Sequence, residues 1–117
     1  ALWRTVREQP AAHQLLTELP MFAHRTPRLQ EALEGHYREV TAVTTKLVTE
    51  AAERTGHQLA QSPETLARFF LAGVDGLSLQ RLSLPDEEAE RTGLQALVSA
   101  VVALAGGRME FVTLPTV

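Results

Sequence analysis

The sequence predicts an all-α fold of about five helices, and three observations support this prediction. Apolar residues recur at intervals of three and four along most of the 117-residue chain, which is the spacing of one helix face. Capping residues or prolines precede the candidate helices, and glycine or proline follows them. The connections between these segments are short. We therefore expect a bundle of helices within one domain that spans residues 1–117.

Proline separates the first two predicted helices. Residues up to about Glu8 continue a helix that ends at Gln9-Pro10, because proline cannot continue the hydrogen-bond ladder. A second helix starts at Pro10. Its apolar pattern contains Pro20, so we expect a kink or a break near Leu19.

A long third helix is predicted from Arg28 to about Thr55, after a start at Thr26-Pro27. At about 1.5 Å per residue it would be about 40 Å long, which is enough to cross the whole domain. Gly56 follows it in the position where a left-handed residue is favoured, so we expect the helix to end there.

The fourth helix begins clearly but is not amphipathic. Ser62 is a favoured N-cap, and Pro63 suits the first helical position. One face consists of Leu66, Phe70, Val74 and Leu77, and a second face, also apolar or small, consists of Phe69, Ala72, Gly73, Gly76 and Gln80. A helix with two such faces needs two covers. The chain's own core can supply one, and a second copy of the chain is the simplest source of the other.

The last predicted helix is also apolar nearly all round. Acidic residues at 86–88 follow Pro85 at its amino end, and Gly106-Gly107 stop it. Residues 108–117 resemble an extended arm more than a helix.

Composition excludes several classes of function. The chain has no cysteine, so it contains neither a disulfide nor a thiolate metal site. A net charge of −3 argues against a nucleic-acid-binding surface in these residues. No window approaches the roughly 18 consecutive apolar residues of a membrane span, and no secretory signal is visible. We expect a soluble cytoplasmic protein with no membrane partner.

The sequence indicates no catalytic, metal or cofactor site. The histidines are too irregularly spaced for a metal centre, and no serine stands in a glycine-flanked elbow. Gly106-Gly107 follow a helix, whereas a phosphate loop would precede one. We interpret Asp75 as a structural or interface residue. The prediction is therefore that the chain is not an enzyme and has no cofactor.

Several short sequence words carry a resemblance to a known family. They are Ala1-Leu2-Trp3, the helix from Leu15 to Arg25, Thr26-Pro27-Arg28-Leu29 before the helix with Tyr37, Ser62-Pro63-Glu64-Thr65-Leu66-Ala67, Asp75-Gly76-Leu77-Ser78-Leu79-Gln80 and Leu84-Pro85-Asp86. With these words, the chain to about Ala105 resembles the C-terminal regulatory domain of TetR-family transcriptional regulators.

The resemblance implies a division of labour between two domains. In that family an amino-terminal helix-turn-helix domain binds operator DNA, the C-terminal helices enclose a small-molecule pocket, and the last two helices form a dimer. The helix-turn-helix is not in this sequence. Because the chain begins at Ala1 without an initiator methionine and without a helix cap, we expect material upstream. DNA would be bound only through that missing domain.

Two sets of residues follow as site predictions, and core packing is the alternative for every member. The predicted homodimer surface, a four-helix bundle made by the last two helices of each copy, consists of Phe69, Gly73, Gly76, Gln80, Leu94, Leu97, Val98, Val101 and Leu104. The predicted ligand-binding residues are Trp3, Leu16, Phe22, Leu33, His36, Tyr37, Val40, Thr44, Phe70 and Val74.

The favoured functional hypothesis is an effector-sensing and dimerisation domain of a TetR-like transcriptional repressor. A small apolar or amphipathic effector would shift the dimer between two arrangements, and Trp3 is the predicted coupling residue. The alternative is a free-standing helical module that dimerises and binds a protein partner without any effector.

Overall fold

The computed structural model describes Arg4 and residues 8–115, and this part of the chain is helical with no strand. Four helices follow in order: α1 (Pro10–Ala23), α2 (Pro27–Thr55), α3 (Pro63–Ser83) and α4 (Glu87–Ala105). The all-α prediction is confirmed. The segment predicted as the first of about five helices falls largely outside the described residues. Within the described part, no helix combines the length and the apolar character needed to cross a membrane.

Of the kink or break predicted near Leu19, the break does not occur, because α1 continues through Pro20 to Ala23. Ala23 is only 1% exposed, so the last turn of the helix is held by packing. At the carboxyl end, the Pro20 carbonyl accepts a hydrogen bond from the His24 N–H at 3.3 Å. Packing of the final turn therefore outweighs the backbone donor that proline removes.

Helix α2 has the predicted length and end. Its 29 residues correspond to about 43 Å at 1.5 Å per residue. Gly56 follows with a φ of 68°, the left-handed conformation that favours glycine, and its N–H donates to the Glu53 carbonyl at 3.2 Å. No residue of α2 is fully buried. The long helix therefore lies on the surface of the bundle.

Helix α3 is the centre of the fold, since it contacts each of the other three helices. Its start is fixed by Ser62, whose Oγ accepts a hydrogen bond from the Thr65 N–H at 3.1 Å. The buried residues of α3 are Leu66, Ala67, Val74 and Ser78. Ser78 is polar, but its hydroxyl donates to the Val74 carbonyl at 2.8 Å, so its burial leaves no unmade hydrogen bond.

Helices α3 and α4 form an antiparallel pair with two reciprocal close approaches. A Cβ atom on Gly73 would lie 2.5 Å from both terminal methyls of Leu97. A Cβ atom on Gly93 would lie 2.8 Å from one terminal methyl of Leu77. Each helix thus inserts a leucine over a glycine of the other. This arrangement brings the two backbones closer than alanine would allow.

Both ends of this helix pair are fixed by polar contacts. Near the connecting loop, Arg81 Nε lies 2.9 Å from Glu90 Oε1, and their side chains are only 24% and 8% exposed. Asp86 caps α4 by accepting a hydrogen bond from the Ala89 N–H at 3.0 Å. At the opposite end, the Ala60 N–H donates to the Ala105 carbonyl at 3.0 Å. The pair therefore cannot slide without breaking polar contacts.

The segment after α4 agrees with the predicted arm over the part that is described. Residues 108–115 form neither helix nor strand, and Phe111, Val112 and Leu114 are exposed. The N–H groups of Arg108 and Met109 donate to the Ala103 carbonyl, which fixes the start of the arm to the end of α4.

The close approach at Gly73 predicts a specific destabilisation. Gly73→Ala would place a methyl group against Leu97, and we expect it to lower the free energy of unfolding by about 1–2 kcal/mol. Gly35→Ala is the matched control, because a Cβ atom there meets nothing within 4 Å. Alanine should raise stability at that position by up to about 1 kcal/mol through helix propensity. Urea unfolding followed by circular dichroism measures both variants, and stabilisation by both would contradict the packing described here.

Candidate functional site

A groove of about 1000 Å³, open to solvent on one side, lies between α1, α2 and α3. Its volume is at the upper end of the range of drug-sized ligand sites. The lining consists of Pro20, Ala23, His24, Gln30, Leu33, Glu34, Tyr37, Arg38, Thr41, Ala42, Thr45, Lys46, Glu64, Arg68, Leu71, Ala72 and Asp75. Apolar, hydroxyl and charged side chains share this surface, so it suits an amphipathic molecule better than a purely apolar one.

Helical periodicity explains how the two long walls arise. On α2, Tyr37, Thr41 and Thr45 line the groove at intervals of one turn. On α3, Arg68 and Asp75 follow Glu64 along the same face. The carboxyl end of α1 closes the groove with Pro20, Ala23 and His24. Each wall therefore presents one face of a continuous helix.

Tyr37 and Asp75 are the electrostatically coupled pair of the groove. Burial raises the pKa of the Tyr37 hydroxyl above its ordinary value of 10, and the negative charge of Asp75 raises this pKa further. The phenol is therefore neutral at pH 7. The ring of His36 meets the ring of Tyr37 edge-on, at a centroid distance of 6.0 Å. Tyr37 remains 41% exposed, so it can contact a ligand in the groove.

Two basic residues of the lining lie at its solvent edge. Arg38 is 3.9 Å from Glu34, and its side chain is 84% exposed. Lys46 is 3.9 Å from Glu50, and its side chain is 76% exposed. Such pairs contribute little to stability, because water screens them. In each pair, the glutamate of the same helix offsets the positive charge of the basic residue.

Thr45 contributes a hydroxyl with an unmet hydrogen-bonding requirement. Its Oγ1 is buried and has no hydrogen-bond partner. The neighbouring Thr44 differs, because its Oγ1 donates to the Val40 carbonyl at 2.8 Å. A buried hydroxyl without a partner costs about 1–3 kcal/mol, so the Thr45 side of the groove carries a local energetic penalty.

The structure places only part of the predicted ligand-binding set in this groove. Leu33 and Tyr37 line it. His36 and Phe22 are exposed outside the lining, Val74 is buried in the core, and Val40, Thr44 and Phe70 are half-buried outside the lining. The side chain of Leu16 and all of Trp3 lie outside the described part of the chain. A ligand contact for any of the ten stays a prediction.

Sequence reasoning missed the polar residues of the groove, above all Thr41, Thr45 and Asp75. On α2 the predicted residues were Leu33, His36, Tyr37, Val40 and Thr44. The groove is instead lined by a face of α2 that includes Tyr37, Thr41 and Thr45. The repeat of Tyr37, Thr41 and Thr45 at four-residue intervals was the available signal. That repeat cannot be distinguished from a solvated helix face until the position of α3 is known.

The predicted dimer residues fall into two groups. Leu97 and Leu104 are buried within the chain, at 9% and 8% exposure, and Gly73 packs against Leu97. Phe69 and Val98 are 41% and 45% exposed. Gly76 and Gln80 are exposed, and Leu94 and Val101 are half-buried. The exposed residues of the predicted set are Phe69, Gly76, Gln80 and Val98, and they lie along α3 and α4 together with Val102, which is 51% exposed. We call this mostly apolar surface the open face.

Comparison with known proteins assigns a family to this arrangement. A family model described as "Tetracyclin repressor-like, C-terminal domain" matches residues 1–104, which is most of the chain. No curated protein and no solved structure matches the chain. Among the described residues, no group of three or more histidines, aspartates or glutamates is arranged to hold a metal ion.

The orphan hydroxyl predicts opposite effects for two adjacent threonines. Thr45→Val removes an unsatisfied buried oxygen and keeps the branched shape, so we expect the free energy of unfolding to rise by about 1 kcal/mol. Thr44→Val removes a hydroxyl that has a partner and should lower it by about 0.5–1 kcal/mol. Thermal unfolding by calorimetry compares the two. Equal destabilisation by both substitutions would show that Thr45 finds a partner in solution.

Proposed function

We propose that the chain, which belongs to the family of tetracyclin repressor-like C-terminal domains, senses a small amphipathic effector and forms a homodimer. In the parent regulator, effector binding would control DNA binding by an amino-terminal helix-turn-helix domain. The observation that carries this proposal is the groove of about 1000 Å³ between α1, α2 and α3. It is large enough for a small molecule and has both apolar and charged walls.

The position of α1 supports a route from the groove towards the DNA. Pro20 and Ala23 of α1, with His24 just after the helix, form one end of the groove, and α1 also contacts α2 and α3. A ligand in the groove would therefore contact the first of the four helices whose bounds are given above. Control of DNA binding requires the effector to bind two arrangements of α1 with different affinity. The role of Trp3 as the coupling residue stays a prediction.

The open face supports a homodimer. Phe69, Val98 and Val102 are all between 41% and 51% exposed, on the side of α3 and α4 that is turned away from the rest of the bundle. Burying a large apolar side chain completely contributes about 1.5–3 kcal/mol, so a second copy would bury a substantial apolar area here. A Cβ atom on Gly76 meets nothing within 4 Å, which leaves room for a partner helix to approach.

The dimer is tested by placing a charge on the open face. We expect the wild-type chain to be a dimer at micromolar concentration in analytical ultracentrifugation. Val98→Lys should raise the dimer dissociation constant at least tenfold, because it would bury a lysine without a partner. Val43→Lys is the control, since Val43 is also an exposed helical valine, at 55%, but lies on α2. A wild-type monomer, or equal effects of the two substitutions, would contradict the proposed interface.

The sensor function is tested by filling the groove. Nile red, a neutral dye that fluoresces in apolar sites, should bind the wild-type dimer at one saturable site per chain. Ala72→Trp places an indole in the groove and should weaken this binding at least tenfold. Ala96→Trp makes the same change at an exposed position of α4 outside the groove and should have no such effect. Without a saturable site in the wild-type protein, the alternative of an effector-free interaction module would replace the sensor.

A further inference from the structure

We propose that the effector carries a positively charged amino group, which Asp75 and Tyr37 hold between α3 and α2. This inference rests on the proposed function, because it names the chemical class of ligand for the same groove. The remainder of the molecule would be apolar and would lie along the walls formed by Leu33, Leu71 and Ala72.

Asp75 places a carboxylate opposite the aromatic ring of Tyr37, on the other side of the groove. Asp75 lines the groove from α3, and Tyr37 lines it from α2. The two residues lie on facing walls of one groove, and the Asp75 charge contributes to the raised pKa of the Tyr37 hydroxyl. Both are more than one-third exposed. An ammonium group placed between them would form an ion pair with Asp75 and a cation–π contact with the ring of Tyr37.

The charges of the groove lining balance one another. Its basic residues are Arg38, Lys46 and Arg68, and its carboxylates are Glu34, Glu64 and Asp75. Arg38 lies 3.9 Å from Glu34, and Lys46 lies 3.9 Å from Glu50 of the same helix. The groove therefore has no excess of positive charge that would repel an amine.

Asp75 already interacts within the chain, and this does not prevent it from binding an amine. A carboxylate has two oxygens with about four acceptor positions, so it can keep one contact and accept a hydrogen bond from a ligand. The remaining wall is compatible with this role, because the residues of α1 that line it, Pro20 and Ala23, are uncharged. An acidic ligand would meet Asp75 and the neutral phenol of Tyr37 instead of a basic side chain at this position.

The test compares three ligands of similar shape that differ in charge: 4-phenylbutylamine, 4-phenylbutan-1-ol and 4-phenylbutyrate. Each is titrated against Nile red bound to the wild-type protein. We expect the amine to displace the dye at least tenfold more strongly than the alcohol, and the acid to be the weakest. Asp75→Asn should abolish the preference for the amine while leaving the alcohol unchanged. Glu64→Gln, which also removes a carboxylate from the lining, should retain the preference.

Tyr37 supplies an independent readout, because it is the only tyrosine in the chain. Its ionisation can be followed directly by the ultraviolet absorbance of tyrosinate. Asp75→Asn should lower the pKa of Tyr37, since the negative charge of Asp75 raises it. Saturating 4-phenylbutyltrimethylammonium, whose positive charge does not depend on pH, should also lower it, because a cation stabilises the phenolate, whereas the alcohol should not.

The outcomes separate this inference from the function on which it rests. Nile red binding that depends on the groove, with no preference for the amine, would overturn the amine inference alone. Tighter binding of the acid, or loss of the preference in Glu64→Gln as well as in Asp75→Asn, would do the same. The absence of any saturable Nile red site in the wild-type protein would instead overturn the proposed sensor function.

Discussion

The interlocking of α3 with α4 through two glycine and leucine pairs is the constraint on which the rest of the structure depends. Gly73 and Gly93 leave space for Leu97 and Leu77, so the two backbones approach closely along the middle of both helices. Polar contacts at the two ends, including the largely buried pair of Arg81 and Glu90, then set the register. Because this pairing uses one side of α3 completely, α1 and α2 must contact its other sides. The groove lies between α2 and α3, and the carboxyl end of α1 closes one end of it.

The sequence of α3 lacks an amphipathic pattern because its residues meet four different surroundings, which are α4, the core, the groove and the open face. Gly73 and Leu77 face α4, whereas Val74 is in the core. Asp75 lines the groove, and the next residue, Gly76, lies on the open face. Consecutive residues of one helix point about 100° apart, so these neighbours necessarily reach different surroundings. A helix whose residues meet four different surroundings has no continuous polar face, and its hydrophobic periodicity is correspondingly weak.

The sequence predicted local features well and pairings poorly, and the reason is physical. The ends of α2 and α3 follow from Gly56 and Ser62, which act on the backbone within one turn, so the bounds of these helices could be predicted without knowledge of the fold. Gly73 shows the opposite case. Its small size indicated a close helix approach, and the structure shows one to Leu97 of the same chain, whereas a contact of Gly73 with a second copy stays a prediction. Asp75 could not be assigned to a ligand site, because its distance from Tyr37 depends on how α2 and α3 pack.

The weak burial of α2 is relevant to the proposed sensing function. No residue of α2 is fully buried, whereas α3 is held firmly by α4, so packing fixes α3 more strongly than it fixes α2. A molecule that contacts Tyr37 on one wall and Asp75 on the other would add contacts across the groove between α2 and α3. In the proposed sensor, such a ligand would have to bind one spacing of the two helices better than another, because a switch requires differential affinity. Since α1 closes the same groove, a change in the position of α2 reaches it directly, without any rearrangement of the α3 and α4 pair.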